Sequence, residues 1–453
     1  MYSDTNALWA CRAVDALQNN WFPSPIAGLY SYLDWNGFDG FWQNGVVLET
    51  LANFVAYTRS RRYESVLLAA WRSLEELLHA YFPLPSCDDE LWFALAFARI
   101  YEVTGQVRFL NTSQQLLNFT WHTCWDFTGT CSGGMFFGDG HRIKITITNA
   151  QTLLLAAKLY RLTSHDEHLH QALQVAAYLT NNQVLHADSH LVSDELDVTS
   201  CQPNARTNYS YNAGMTLAGL TELYKSTNRT SVLQLAHAVA RANIAHLSRD
   251  GVLTEYCDPL DSCAADLDAH AFKGIFVRSL RYLMDVSSPQ QRRQYQAWIQ
   301  LNIDHVIKHA SCGDARRDVT NCNISFIDGA PDVNATGPVF DTNWAGNYTR
   351  SSPASQTQVL DLLTAGIRPD VVCSDDVTCN YDPGVAPIKR LTCADDPCPS
   401  GQACCDWGNT HTSTTRAARA TSTATTVAAT KRSVLLRRRL LLSARYCYDG
   451  GCY

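Results

Sequence analysis

The sequence predicts an all-α protein, and within that class a closed (α/α)6 barrel of about twelve helices with a small cysteine-rich C-terminal segment. Apolar residues recur at helical spacing through roughly the first 365 residues. Several of these helices are apolar nearly all round, which is typical of helices that lie between two layers. Similar helix ends recur about every 60 residues, as a repeating helical hairpin requires. A helical solenoid is the alternative that these observations leave open.

The spacing of apolar residues also sets the order of the elements, and we expect no strand pair between the helices. Segments 91–98 and 212–220 show the all-round apolar character of an inner layer. Three helices end in related segments at 101–105, 160–164 and 224–228, where Gly or Asn after the last turn favours a left-handed C-cap. The predicted helices span residues 6–19, 41–59, 63–81, 89–103, 107–122, 147–163, 167–186, 212–226, 230–247, 266–285, 289–309 and 354–365.

The composition is that of a globular protein with a large core, because 46% of the 453 residues are hydrophobic and 17% are charged. The formal net charge of −7 gives no electrostatic reason to expect nucleic acid or an anionic membrane as a partner. The chain has no apolar run of about 18 residues, so no membrane span is expected. We expect a monomer.

Cysteines and glycosylation sequons point to an oxidising compartment. Seventeen cysteines suit a secreted, disulfide-bonded protein, and because the number is odd at least one thiol is free or pairs outside the chain. The first residues lack the basic and apolar regions of a signal peptide, so we expect the leader to be absent from this chain. The expected location is therefore secreted. Seven Asn-x-Ser/Thr sequons are present, at Asn111, Asn118, Asn208, Asn228, Asn323, Asn334 and Asn347.

The character of the chain changes after residue 368, which predicts three parts. Residues 1–368 form the helical domain, 369–408 a cysteine-rich disulfide module, and 409–453 a Thr/Ser-rich linker and tail that we expect to be disordered. Zinc is the alternative for the module, but no histidine lies among its cysteines and an oxidising compartment favours disulfides. Its six cysteines are Cys373, Cys379, Cys393, Cys398, Cys404 and Cys405.

Three acids, Asp88, Asp89 and Glu90, stand directly before the apolar run 91–98. One interpretation is helix capping, since Ser86 and Asp89 have the spacing of a capping box and acids favour a helix N-terminus. The other is chemistry, because a helix buried on all sides begins at a cavity and neighbouring carboxylates can lie within several ångströms of each other. Like charges at that range separate the two pKa values, so one acid stays protonated while the other ionises.

The segments 35–44 and 133–137 combine glycines, aromatic rings and amides, as a sugar-binding cleft does. Aromatic rings cover the apolar faces of sugars, while amides and carboxylates bond to hydroxyls. For any single aromatic residue, packing in the core is the alternative.

Six segments in this order resemble glycoside hydrolase family 76, the endo-α-1,6-mannanases and their fungal cell-wall relatives. The resemblance runs from about Trp9 to Leu363. Each segment is weak alone, but six in the right order are a strong signal. They are Phe-Trp-Gln-Asn-Gly at 41–45, Asp88-Asp89 with Trp92, Cys-Ser-Gly-Gly-Met-Phe-Phe at 131–137, Lys-Ile-Thr-Ile-Thr-Asn at 144–149, Tyr-Ser-Tyr-Asn-Ala-Gly at 209–214 and Phe-Lys-Gly-Ile-Phe-Val-Arg at 272–278.

The resemblance implies an (α/α)6 barrel and a retaining double displacement on α-mannan or another mannose-containing glycan. By position Asp88 matches the nucleophile and Asp89 the general acid/base, and that chemistry requires no metal and no cofactor. The residues expected to bind substrate are Asp39, Trp42, Asn44, Trp92, Phe136, Phe137, Asn149, Tyr211, Asn212, His270 and Lys273. For His270, a packed histidine is an equal alternative.

Three departures from the family pattern leave the catalytic pair intact but leave the exact substrate open. Phe136 and Phe137 replace a pair of tryptophans and so lose indole N–H donors. Ile145 replaces an asparagine, and Gln-Asn-Gly at 43–45 replaces Asn-Ala-Ala.

Two further clusters of ionisable residues have more than one interpretation. The segment 165–170 holds three histidines and two acids, and a solvated turn is favoured over a metal site. Four aspartates lie around Cys257 and Cys263, which predicts a disulfide-pinned loop, with a carboxylate that reaches the cleft as the alternative. These aspartates are Asp258, Asp261, Asp266 and Asp268.

Three functions follow as hypotheses. The leading one is a glycosidase that cleaves α-1,6-mannosidic linkages. The second is a cell-wall transglycosidase that transfers mannose-bearing glycans to an acceptor polysaccharide, with the same two acids. The third is a non-catalytic glycan-binding protein, favoured by the cysteine-rich module, the Thr-rich linker and the loss of the tryptophan pair.

Overall fold

The structure is a computed structural model that divides into two units, Met1–Gly384 and Val385–Tyr453. In the second unit two strands, β10 (Cys447–Tyr448) and β11 (Gly451–Cys452), pair antiparallel. The predicted module 369–408 and the rest of the predicted tail lie outside the described residues. The structure describes residues 5–22, 30, 41–71, 86–138, 141, 143–204, 208–258, 268–313, 319–320, 322–324, 335–368, 447–448 and 451–452.

The first unit is built from helices whose bounds agree with the prediction to within a few residues. Of the predicted helix 63–81, residues 64–71 are described as helical and are labelled α3. The other helices are α1 (Thr5–Trp21), α2 (Phe41–Thr58), α4 (Cys87–Thr104), α5 (Val107–Cys124), α6 (Thr146–Thr163), α7 (Asp166–Asn181), α8 (Ser210–Thr227), α9 (Thr230–Leu247), α10 (Ala269–Val286), α11 (Pro289–His309) and α12 (Pro353–Ala365).

The even-numbered helices form a closed inner ring. Each packs on the next, from α2 to α4, α6, α8, α10 and α12, and α12 packs back on α2. Outer helices pack against them, with α5 on α4, α7 on α6, α9 on α8 and α1 on α12. The inner helices are buried on nearly every face, polar and charged residues included, whereas α5 and α7 bury one stripe. Ring closure confirms the (α/α)6 barrel and excludes the solenoid.

The inner helices run parallel, because their N-terminal residues meet one another and so do their C-terminal residues. At one end, Trp42 of α2 stacks on Trp92 of α4. At the other end, Arg99 of α4 donates to Asn53 of α2 at 2.8 Å. All six inner helices therefore begin at one end of the barrel, and this end carries the motif residues.

The opposite end is held by ion pairs between inner helices, in which Arg161 is exposed while Lys158 and Glu222 are buried. Glu102 of α4 accepts from Lys158 of α6 at 3.2 Å and from Arg161. Burial alone would raise the pKa of Glu102, but Lys158, Arg99 and Arg161 together hold it well below its ordinary value. Arg161 also pairs with Glu222 of α8 at 2.9 Å. Cations near helix C-termini are favoured by the helix dipole, so sequence and position agree.

A second buried cluster continues this end of the barrel through α2, α10 and α12. The guanidinium of Arg278 lies 3.2 Å from Glu49 and 3.6 Å from Asp361. The Tyr282 hydroxyl donates to Glu49 at 2.9 Å. Charged contacts thus connect the inner helices between their middle, at Glu49 and Arg278, and their C-terminal ends.

The three related helix ends adopt a left-handed C-cap, as predicted for the two that end in Gly105 and Asn228, and Ser164 does so too. Each cap residue has a positive φ and donates its N–H to the carbonyl four residues back, which satisfies an orphan carbonyl of the last turn. The cap residues are Gly105, Ser164 and Asn228, with φ of 71°, 59° and 55°, and they donate to Tyr101, Tyr160 and Tyr224.

Short antiparallel strand pairs join the loops, and the expectation of no strand pair was wrong in this detail. Strands of two or three residues carry no alternation that a sequence pattern can reveal. The remaining strands are β1 (Lys144–Ile145), β2 (Glu195–Asp197), β3 (Gln202–Pro203), β4 (Ser248–Arg249), β5 (Val252–Leu253), β6 (Ser311–Cys312), β7 (Val319–Thr320), β8 (Ala335–Thr336) and β9 (Val339–Phe340). They form a β1-β2-β3 sheet and the pairs β4-β5, β6-β9 and β7-β8.

Disulfides staple the loops at several places. The described bonds join Cys87 to Cys124, Cys131 to Cys201 and Cys312 to Cys322. Cys11 and Cys257 are also disulfide-bonded. Within the described part of the chain, no helix has the length and apolarity needed to cross a bilayer.

The contact between α10 and α12 depends on a glycine. A Cβ on Gly274 would lie 2.5 Å from the Gln358 Cα, so Gly274→Ala should push the two helices apart and lower the free energy of unfolding by about 2 kcal/mol or more. Gly219→Ala is the control, because its Cβ meets only the Leu153 side chain, which can rotate. Urea unfolding followed by circular dichroism measures both, and equal stability of the two variants would contradict the packing described.

Candidate active site

The predicted site residues gather where the inner helices begin. Asp39 lies outside the described residues; the others lie in the first two turns of α2, α4, α6, α8 and α10 or in the loop before α6. The structure places Trp42 and Asn44 on α2, Asp88, Asp89 and Trp92 on α4, Asn149 on α6, Tyr211 and Asn212 on α8, His270 and Lys273 on α10, and Phe136 and Phe137 in the loop.

Asp88 and Asp89 occupy the first turn of α4, where a helix dipole favours acids, but the capping box that the sequence suggested was wrong. Ser86 is the N-cap residue but makes no side-chain cap hydrogen bond, so no capping box forms. The Asp89 N–H donates instead to the Ser86 carbonyl at 3.3 Å. Both aspartates are half-buried, so neither extends freely into solvent.

Asp88 in this first turn has a pKa well above its ordinary value. Burial raises its pKa to about 7, although hydrogen bonds from Ser86 and its own backbone N–H lower it. The charges of Glu90 and Asp268 raise it further. Its Oδ1 atom is buried with no hydrogen-bond partner among the described residues. A carboxyl group in this environment is available to interact with a ligand that enters the site.

Asp268, just before α10, bonds to side chains at the start of α2. Its Oδ1 accepts the Trp42 indole N–H and the Gln43 amide N–H, both at 3.0 Å. The Trp42 ring stacks on Trp92 with centroids 5.2 Å apart. Asp268 therefore fixes the orientation of the α2 side chains beside Asp88.

Lys273 is committed to a buried ion pair. Its Nζ donates to Asp258 at 2.9 Å, and both side chains are fully buried. Asp258 also accepts the Glu255 N–H at 2.8 Å. Burial raises the pKa of Glu255 to about 7 while Lys273 opposes the shift, and Glu255 accepts the N–H of Ser210, the first residue of α8. Lys273 thus braces the starts of α8 and α10.

An aromatic cluster joins the starts of the same two helices. Tyr211 and Phe272 stack in parallel with centroids 3.9 Å apart, and Tyr209 meets both rings edge-on. Burial raises the pKa of Tyr211 well above its ordinary value, and the charges of Asp194, Asp88 and Asp268 raise it further. The phenol therefore stays neutral and keeps its proton to donate.

Asp194 is a site residue that the sequence did not reveal. It accepts from the Asn212 amide at 2.7 Å, and its own carbonyl accepts the N–H of Thr146, the first residue of α6. Burial raises its pKa to about 6, Asn212 opposes this, and Glu195 adds to it. It lies in the long connection between α7 and α8, where no motif marks it.

Gln151 is a second residue that the motifs did not mark. Its amide N–H donates to the Asp88 carbonyl at 3.3 Å, which ties α6 to the first turn of α4. The residue is fully buried. Helical periodicity places it on an inner face but gives it no chemical role.

The loop 133–137 is shaped by two glycines in left-handed conformations. Gly133 and Gly134 have φ of 89° and 99°, and a Cβ on them would lie 2.7 Å from Trp125 and 2.5 Å from Tyr178. Only glycine fits both the backbone and the space. The pair of glycines is therefore a structural requirement of this loop.

Lys144 and Asn149 hold the same loop from α6 and the strand before it. Lys144 is fully buried, pairs with Asp126 at 2.6 Å and donates to the Gly133 carbonyl at 2.7 Å. The Asn149 amide accepts the Met135 N–H at 2.7 Å and donates to the Met135 carbonyl at 3.0 Å. It also donates to a carbonyl in its own helix turn at 2.8 Å. Both side chains thus position the loop with the polar atoms expected to meet a sugar.

Phe136 and Phe137 make different contacts, the first through its ring and the second through its backbone. Phe136 stacks on His141 with centroids 4.7 Å apart, and the Lys144 Nζ lies 4.8 Å from its ring centre. The Phe137 carbonyl accepts the N–H of Cys87, directly before Asp88. The loop therefore contacts the start of α4 through its backbone.

Six of the predicted binding residues are buried, namely Asn44, Trp92, Phe136, Asn149, Asn212 and Lys273. Asn44 accepts the Tyr30 N–H at 2.8 Å. His270 is half-buried in the first turn of α10. The structure thus brings the predicted residues to one end of the barrel, with Asn44, Asn149 and Lys273 bonded to protein groups.

The histidine-rich segment 165–170 forms the start of α7, with His165 as its N-cap. Across the parts of the chain that the structure describes, no three or more His, Cys, Asp or Glu side chains are grouped so as to hold a metal ion.

Comparison with known proteins agrees with this geometry. Residues 18–364 match the model of Glycosyl hydrolase family 76. A Schizosaccharomyces pombe relative is 30% identical over 54% of this chain and 59% of its own length. Mannan endo-1,6-alpha-mannosidase DFG5 of Saccharomyces cerevisiae is 27% identical over 58% of this chain and 55% of its own length. The chain thus spans little more than half the length of these curated relatives.

Solved structures share the fold. An inactive variant of the α-1,6-mannanase GH76A of Salegentibacter sp. HEL1_6, with two consecutive aspartates replaced by asparagine and α-1,6-mannotriose bound, superposes with a TM-score of 0.66 at 18% identity. The match covers 80% of this chain and 99% of that one. Dfg5 of Chaetomium thermophilum in complex with glucosamine gives a TM-score of 0.62 at 16% identity, over 82% of this chain and 93% of that one.

Asn149→Ala tests the bracing of the loop. The change leaves the Met135 N–H and two carbonyls without their partner in a buried place, so the free energy of unfolding should fall by about 2–4 kcal/mol. The matched control Gln174→Ala removes an exposed amide and should stay within about 0.5 kcal/mol of the parent. Denaturant unfolding compares them; an Asn149 variant as stable as the control would show that the loop does not depend on this amide.

Proposed function

The chain belongs to glycoside hydrolase family 76, and on that premise we propose that it hydrolyses α-1,6-mannosidic linkages in mannan-type glycans by a retaining double displacement. The observation that carries the proposal is the consecutive pair Asp88 and Asp89 in the first turn of an inner helix, with one carboxyl oxygen of Asp88 buried and unpartnered among the described residues. Relatives named as mannan endo-1,6-alpha-mannosidases support it. So does the solved α-1,6-mannanase with bound mannotriose, which is inactive without two consecutive aspartates.

In the first step, an Asp88 oxygen bonds to the anomeric carbon as the glycosidic C–O bond breaks. Asp89 gives its proton to the leaving oxygen. In the second step, Asp89 takes a proton from water, the water oxygen bonds to the anomeric carbon, and the bond to Asp88 breaks. Asp89 ends protonated and Asp88 ionised, as at the start.

The surroundings supply what this sequence of steps needs. Tyr211 is neutral and close enough to feel the charge of Asp88, so its hydroxyl is a hydrogen-bond donor for carboxylate or sugar. The stacked Trp42 and Trp92, with the Tyr211–Phe272 pair, place aromatic surface on two sides of the acids. Burial of Asp88 lowers its solvation, which makes the ionised carboxylate a stronger nucleophile once sugar fills the site.

We also propose that the protein works outside the cell. Its described disulfides, two of them in the loops around the site, require an oxidising compartment. The sequon residues support glycosylation there, since five of them are exposed; Asn208 is half-buried and Asn334 lies outside the described residues. The exposed ones are Asn111, Asn118, Asn228, Asn323 and Asn347.

The division of the chain into a catalytic domain at 1–368, a disulfide module at 369–408 and a tail at 409–453 is part of the same proposal. The family match ends at residue 364, just before the first of these boundaries. All the acids assigned to catalysis lie within the first part.

Replacing either acid should stop the reaction and leave the fold intact. Asp88→Asn removes the nucleophile and Asp89→Asn the proton donor, so each should lower kcat on α-1,6-mannan by about a thousandfold or more, measured as released reducing ends. The control Asp166→Asn changes an exposed acid at the start of α7 and should retain parental activity.

The same Asp88 variant makes a stability prediction. Because burial raises the folded pKa of Asp88 to about 7, the folded state binds more protons than the unfolded one as pH rises from about 4 to 7, and stability falls. Asn cannot ionise, so Asp88→Asn should be at least as stable as the parent at pH 8. A variant that is inactive but strongly destabilised at pH 8 would contradict the burial described.

The pH dependence distinguishes the two possible roles of Asp88. A nucleophile acts ionised, so kcat/KM on α-1,6-mannotriose should fall about tenfold per pH unit below about 7. Asp268→Asn removes a charge that raises this pKa, so its acid limb should lie at lower pH. If Asp88 were the proton donor, kcat/KM would fall above pH 7 instead, and the assignment would have to be exchanged with Asp89.

A further inference from the structure

The Cys87–Cys124 disulfide stands directly before the acid assigned as nucleophile. It joins the first residue of α4 to the last residue of α5, which are 37 residues apart. Cys87 is 4% exposed and Cys124 is fully buried. The disulfide bond is thus buried directly beside the candidate site.

Two hydrogen bonds connect the same disulfide to the loop 133–137. The Cys87 N–H donates to the Phe137 carbonyl at 2.8 Å, and the Phe136 N–H donates to the Cys124 carbonyl at 2.7 Å. The disulfide and the Phe136-Phe137 step therefore close a small ring. Asn149 holds the preceding residue of this loop, so the ring is anchored to α6 as well.

The first turn of α4 needs such an anchor. Its N-cap residue makes no side-chain cap hydrogen bond, and first turns without caps tend to fray. It also carries three consecutive acids whose charges repel one another, and Asp88 would gain hydration if the turn opened. Repulsion among the acids and the hydration of Asp88 favour opening of the turn, whereas the helix dipole and the covalent bond favour the closed turn.

We propose that the Cys87–Cys124 bond is a positioning element for Asp88, which keeps the first turn of α4 closed and so holds the nucleophilic carboxyl in its sheltered place. The inference rests on the proposed hydrolysis of α-1,6-mannosides. It assigns Cys87 and Cys124 a part in the reaction that acts through Asp88 and touches no substrate. It also makes activity dependent on oxidative folding.

The test replaces the pair and compares it with another pair. In Cys87→Ala/Cys124→Ala, kcat on α-1,6-mannotriose should fall by about tenfold or more with little change in KM, because the nucleophile is misplaced and substrate contacts remain. The acid limb of kcat/KM should also move to lower pH, since a hydrated Asp88 titrates closer to its ordinary pKa. Loss of stability alone would not move that limb.

The control Cys312→Ala/Cys322→Ala removes a described disulfide with no residue on α4. It should lower the melting temperature but keep the parental kcat and pH profile. Cys87→Val/Cys124→Ala fills more of the buried volume and should reproduce the kinetic change if the alanine pair folds poorly. An unchanged pH limb and kcat in a folded Cys87/Cys124 variant would overturn the proposal.

Amide hydrogen exchange of the oxidised parent protein decides the matter without any variant or activity. The amides of residues 87–90 should exchange about as slowly as the centre of α4, whereas the first turn of α5, which also lacks a side-chain cap, should exchange faster. If the amides of residues 87–90 exchanged as fast as those of a frayed helix end, the positioning role would be overturned. A parent that turns over no α-1,6-mannoside would instead refute the proposed function, and the exchange result would still stand.

Discussion

The charged contacts between neighbouring inner helices, from the middle of the helices to their C-terminal ends, are the constraint on which the rest of the structure depends. Apolar packing alone lets helices slide along one another. Charged contacts fix the position of a helix along its axis relative to its neighbour, as in Lys158–Glu102, Arg161–Glu222 and Arg278–Glu49. Once one end is fixed, the opposite ends lie level. The first turns of α2, α4, α6, α8 and α10 then form one surface, and side chains far apart in sequence meet there.

At that surface the protein accepts a cost in stability. Asp88 is held where its charge is poorly solvated, beside other acids, and neutral Tyr211 lies within their field. Such an arrangement persists only if the surrounding structure holds it. The supports are visible: Lys144 and Asn149 brace the glycine loop, the Lys273–Asp258 pair braces α8 and α10, and a disulfide closes the start of α4.

The sequence predicted the barrel and most of the site region because helical periodicity and the order of the motifs can be read directly from the amino-acid sequence. It could not assign the roles of Asn149 and Lys273. An amide or an ammonium group that binds a sugar cannot be distinguished in sequence from one that holds a loop. Asp194 and Gln151 were missed because only the three-dimensional ring brings them to the acids. Ser86 has the spacing of a capping box without forming one.

The central claim, that Asp88 forms a bond to the sugar and Asp89 moves the proton, is tested most directly by the stereochemistry of the product. Proton NMR of a fresh digest of α-1,6-mannan oligosaccharide shows which anomer appears before mutarotation. Two displacements at one carbon predict that the α-anomer appears first and the β-anomer only later. If the β-anomer appeared first, a single displacement by water would be operating, and the role given to Asp88 would be wrong.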